Sequence, residues 1–93
     1  MLYINDIVAR CIAIKEKHGF PMNDPSNELS RAYDELMEAI EAWKFKTPEE
    51  FGDELADVFI FIACAAKFAN IDLEKSIKDK VERNEKREWS KKT

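Results

Sequence analysis

Residues 35–57 read E-L-M-E-A-I-E-A-W-K-F-K-T-P-E-E-F-G-D-E-L-A-D. At the centre stands a helix start: Thr47 as cap, Pro48 in the first helical position, and Glu50 completing a capping box. The residues before it are periodic as well. Leu29, Tyr33, Leu36, Ile40 and Trp43 recur at helical spacing, which predicts a helix over about 25–45 with those side chains as its apolar stripe. The residues after it predict a helix over about 48–69. A break this short between two long helices implies an antiparallel hairpin.

The same stretch carries an anomaly. Glu54, Asp57, Phe61, Cys64 and Phe68 share one face, so two carboxylates stand on a stripe expected to meet a core. Glu35 and Glu38 are spaced in the same way on the preceding helix. Each pair lies about 8 and 11 residues from the turn at Lys46-Thr47, so all four acids fall roughly 12 to 17 Å from that turn. Crowded carboxylates repel one another and resist desolvation. A hard divalent cation offsets this, and Mg²⁺ in particular is held by carboxylates together with substrate phosphates.

Two further helices flank the hairpin. Ile4, Ile7, Val8, Cys11, Ile12 and Ile14 predict a first helix over about 3–18, ended by His18-Gly19, where Gly19 can take a positive φ. Asp24-Pro25 is a cap and first position for the second helix. Asn70 closes the third, and Asp72 caps a fourth over about 72–88, leaving residues 90–93 as a frayed tail. The fourth helix's stripe, Leu73, Ile77, Lys80, Asn84 and Arg87, passes from apolar to polar. In an antiparallel arrangement Asn84 matches Asp57 in depth and Arg87 matches Glu54. Cationic and amide donors beside carboxylates suit a phosphorylated ligand.

The bulk properties agree. The chain has 93 residues with only 2 Gly and 3 Pro, which argues for one all-α domain over 1–93. A domain of this size is marginal alone, so a partner subunit is expected to complete the antiparallel four-helix bundle. A net charge of -4 speaks against nucleic acid as a partner. The longest near-apolar run, 55–66, contains Asp57 and falls short of the roughly 20 residues of a membrane span. No basic start with a long apolar run marks a signal peptide. Cys11 and Cys64 are isolated, as in a reducing, cytoplasmic setting.

Each feature also has a plainer reading. Acid pairs at this spacing are common on solvated helix faces, and Lys80 and Arg87 suit surface ion pairs. Glu41 and Asp53 are outer ligands or solvated acids. His18 is a cation at a helix end or a substrate contact. Trp43 and Trp89 stack on a base or fill a core. A di-iron carboxylate bundle is set aside, because it requires Glu-x-x-His on two helices and the one histidine, His18, lies outside both acid motifs.

In order and spacing, E-L-M-E, fifteen residues, E-L-A-D, and then K-V-E-R-N with Arg87 beyond resemble the MazG-like all-α nucleoside triphosphate pyrophosphohydrolases. The stretch A-N-I-D-L-E-K-S-I is also similar, and the likeness runs from about Phe20 to Trp89. The resemblance implies cleavage of a nucleoside triphosphate, deoxy or non-standard, between its α and β phosphates. Glu35, Glu38, Glu54 and Asp57 would hold Mg²⁺, or Mn²⁺ in its place. Glu35 or Glu38 would take the proton of the attacking water as the catalytic base. Lys80, Asn84 and Arg87 would hold phosphate. Trp43, Phe45, Phe20 and His18 are the candidates for the base. Phe45 stands about where some relatives carry their base-stacking residue. Such proteins assemble as homodimers or homotetramers. Two other functions stay open: a non-catalytic helical oligomerisation module, and a phosphoribosyl-ATP pyrophosphatase-like enzyme.

Overall fold

The computed structural model describes residues 3–21 and 24–88. Four helices account for most of them: α1 (Ile4–Lys17), α2 (Pro25–Phe45), α3 (Pro48–Phe68) and α4 (Leu73–Lys86). These match the expected spans to within the fraying of helix ends. Trp89 and the tail 90–93 lie outside the described residues.

The boundaries have local causes. Asp24 accepts from the Ser26 amide at 2.9 Å, with Pro25 opening α2. At α3, Thr47 Oγ1 accepts from the Glu50 amide at 3.2 Å and Glu50 reaches back to the Thr47 amide, closing the capping box. Gly19 (φ 72°) and Asn70 (φ 59°) take the left-handed conformation just past α1 and α3. Asp72 caps α4 by accepting from the Lys75 amide at 3.0 Å. That bond, with a second from the Asn5 side chain, holds the Asp72 carboxyl below its usual range. Asn5 also donates its amide to Glu74, tying α1 to the start of α4.

α2 and α3 form the predicted hairpin and the closest helix pair of the chain. α1 packs on α3, and α4 touches α1 and α3 more sparsely. No Cα of α4 comes within 8 Å of α2. The buried residues are small for the most part: Val8, Cys11, Ala32, Ala39, Ala42, Ala63, Cys64 and Ala65. Burial raises Cys11 and pushes Cys64 up to about 11, so both remain protonated thiols at neutral pH.

One expectation is overturned. Leu29, Tyr33, Leu36, Ile40 and Trp43 are not buried against α3; all are exposed, Trp43 to 71 %. The face of α2 turned inward is Glu28, Ala32, Glu35, Ala39 and Ala42, with both Ala39 and Ala42 almost wholly buried. The two series differ by one residue, about 100° around the helix. Methyl side chains in the seam let α2 and α3 approach closely, and the larger side chains are left on the adjacent face. Ile14 of α1 is likewise exposed.

Candidate functional site

Two long helices in register bring the acids together. Glu35 lies on the inward face of α2, with Glu38 one turn on, and Glu54 comes from α3. A carboxylate oxygen from each lies within 4.8 Å of the others. Glu35 and Glu54 are half-buried and Glu38 is exposed, so the group opens to solvent at one side. Asp57 is exposed and acts on Glu35 through its charge. Glu41 and Asp53 are exposed and stand outside the group.

The electrostatics match that crowding. Burial, then the neighbouring carboxyls of Glu54 and Glu38, then the charges of Glu38 and Asp57 push Glu35 up to about 7. Glu54 Oε2 is buried and has no hydrogen-bond partner among the described residues. Carboxylate oxygens brought together, one of them an orphaned acceptor, fit a hard divalent ion. Glu35, Glu38 and Glu54 are the side chains that would hold it, and Asp57 is near enough to add its charge.

A family model described as the MazG nucleotide pyrophosphohydrolase domain matches residues 23–90. The chain belongs to the MazG nucleotide pyrophosphohydrolase family. Neither a curated protein nor a solved structure matches it. An all-α fold with a carboxylate cluster is in keeping with the MazG family, which is generally dependent on a divalent metal.

The remaining candidates fall into separate places in this MazG domain. Lys80 and Arg87 are exposed on α4, and Asn84 is half-buried there. Their helix adjoins α1 and α3, and it lies apart from the helix bearing Glu35 and Glu38. Trp43 sits near the α2–α3 turn, where its ring tilts against Phe51 at 5.3 Å. Phe45 ends α2, exposed to 78 %. Phe20 lies at the other end of the hairpin, 6.4 Å from His18 between ring centroids. It lines a cavity of about 750 Å³ between α1, α2 and α3.

That cavity contains residues the sequence did not single out. Lys15 Nζ meets Glu28 Oε1 at 2.9 Å, both side chains largely buried. Lys15 also lies over the rings of Phe20, at 5.5 Å, and Phe61, at 5.2 Å. One signal for Glu28 was present: it stands two helical turns before Glu35 on the same face. Its pairing with Lys15 had no sequence signal, because it joins two helices across a loop.

Among the described residues no helix is long and apolar enough to cross a membrane.

Proposed function

We propose that the chain is a Mg²⁺-dependent nucleoside triphosphate pyrophosphohydrolase, cleaving the α–β phosphate bond to give a nucleoside monophosphate and pyrophosphate. The substrate is a deoxynucleoside or non-standard triphosphate. The observation that carries this reading is the group Glu35, Glu38 and Glu54, with oxygens within 4.8 Å, in a chain of this family.

In this reading Glu35, Glu38, Glu54 and Asp57 bind the divalent ion, Mg²⁺ or Mn²⁺. Such an ion lowers the pKa of a bound water and offsets charge on the phosphate oxygens. Glu35 or Glu38 accepts a proton from the attacking water at a carboxylate oxygen. Lys80, Asn84 and Arg87 supply N–H donors to the phosphates. Phe20 and His18 stand nearer the cavity than Trp43 and Phe45, and are the better candidates for contact with the base.

The catalytic domain spans the chain and works as a homodimer or homotetramer. The exposed side chains Leu29, Tyr33, Leu36, Ile40 and Trp43 form a continuous apolar stripe on α2, larger in kind than the chain's own core. Such a stripe is what a second copy would cover. Two protonated cysteines suit a reducing cytoplasm.

The test is a panel of nucleoside triphosphates incubated with Mg²⁺, assayed separately for pyrophosphate and orthophosphate. Pyrophosphate with the matching monophosphate is the expected pair of products. Orthophosphate as the sole phosphorus product, or no turnover on any triphosphate, removes the proposal. No turnover would leave the oligomerisation module as the reading of the apolar stripe.

A further inference from the structure

Apart from the acid group, one carboxylate stands out. Glu28 is the buried charged residue among those described, exposed to only 4 %. Its Oε1 takes the Lys15 ammonium. Its Oε2 is buried with no hydrogen-bond partner among the described residues. An ionised carboxylate accepts at both oxygens, and a buried one normally has both satisfied. A pair whose role was only to hold α1 against α2 would gain from filling the second oxygen too.

The surroundings indicate what could fill it. Glu28, Lys15, Phe20 and Phe61 all line the same cavity, whose volume of about 750 Å³ suits a small organic ligand. Arg31 and Asp34 line it as well, so it extends along α2 to the residue beside Glu35. Glu28 and Glu35 are two turns apart on one face, about 10 Å along the axis. That separation puts an acceptor where the base of a nucleotide would lie if its phosphates were at the acids. Two phenyl rings beside it offer stacking surfaces.

We propose that Glu28, oriented by Lys15, reads the nucleobase by accepting a hydrogen bond from an exocyclic amino group. This rests on the nucleotide reading of the acid group. Lys15 has donors beyond the one given to Glu28 and serves the ring nitrogen adjacent to that amino group. Cytosine and adenine present this donor-next-to-acceptor edge. Uracil and hypoxanthine carry an oxo group in place of the amino group, and an oxo oxygen facing a carboxylate is repelled. Glu28 is thus a specificity-determining residue, and the site favours amino-bearing bases over their oxo counterparts.

The experiment measures pyrophosphate release with Mg²⁺ on two matched pairs of substrates. One is deoxycytidine against deoxyuridine triphosphate, the other deoxyadenosine against deoxyinosine triphosphate. Wild-type protein should prefer the amino member of at least one pair by about tenfold or more in kcat/KM, expressed mainly in KM. Glu28→Gln keeps the shape but alters the acceptor. The double variant Lys15→Met with Glu28→Met removes both charges, so neither is left buried alone. Circular dichroism and melting verify that each variant is folded. Loss of the preference in the folded double variant supports the proposal. An absent preference in wild type, or one that survives in the double variant, overturns it. If wild type releases no pyrophosphate from any substrate, the nucleotide-hydrolysis reading has failed separately. Glu28 is then judged by amide chemical shifts on titration with deoxycytidine and deoxyuridine in Mg²⁺-free buffer. Deoxycytidine-selective shifts that vanish in the double variant support base reading, and equal or absent shifts overturn it.

Discussion

The two faces of α2 are built on opposite principles. Toward α3 the helix presents Glu28, Ala32, Glu35, Ala39 and Ala42, the alanines being buried. About 100° round from that seam it presents Leu29, Tyr33, Leu36, Ile40 and Trp43, all exposed. The inward face is poor in apolar area and rich in function. Its methyl groups let two helices come close, and closeness is what brings Glu35 and Glu38 to Glu54. The outward face holds most of the helix's apolar surface, yet its side chains stay exposed, Trp43 included although its ring touches Phe51. Hydrophobicity reports how much a face gains from burial, but says nothing about which molecule buries it.

The contrast breaks most readily at the acids. Glu38→Gln and Asp57→Asn should each lower pyrophosphate release by more than about a hundredfold, beyond what loss of an outer metal partner produces. Circular dichroism should find the helices intact. Full turnover in both variants would mean that the inward face carries no chemistry.

Mg²⁺ and pH give the next largest effect. Burial, then the neighbouring carboxyls, raises the Glu35 carboxyl in the folded chain from 4.5 to about 7. A raised carboxyl favours folding when protonated, so this contribution is complete below about pH 4.5 and disappears as pH rises through about 7. Metal-free protein should therefore melt at progressively lower temperature across that window. Mg²⁺ should reverse the loss above pH 7 and do little at pH 4.5, where protons compete for the ligands. At a hundredfold excess over Kd the expected rise in Tm is upward of about 10 °C for a domain this small. A Tm indifferent to Mg²⁺ at high pH would disconnect the acids from metal binding.

The smallest effect separates the faces most directly. Ala42→Leu places extra methylenes in the fully buried seam and should cost about 1–3 kcal/mol in denaturant unfolding. Ile40→Glu alters the outward face. It should lower the particle mass by light scattering, with the helical spectrum of the separated chain retained. If Ile40→Glu leaves the mass unchanged, no second copy covers the stripe.

Much of the fold was legible because its signals are local. Asp24-Pro25, Thr47-Pro48 with Glu50, and Asp72 mark helix starts through bonds to amides two or three residues away. Gly19 and Asn70 mark helix ends because each takes a left-handed φ. The meeting of Glu35, Glu38 and Glu54 was legible for a related reason: a hairpin with a known turn fixes relative depth by counting. The rotation of α2 about its own axis was not. The apolar stripe pointed to one face, while the close approach of α2 to α3 selected the neighbouring one. Nor was the Lys15–Glu28 pair visible, since it depends on how α1 lies across the other two helices.

By itself the sequence determined four helices, their limits and the level at which the acids stand, because backbone hydrogen bonding and helical rise are set within a few residues. Tertiary structure alone decided which side of α2 is covered, which cation reaches Glu28, and that α4 keeps its distance from α2. Those outcomes depend on how closely whole helices can approach, a property of pairs of surfaces that no single segment contains.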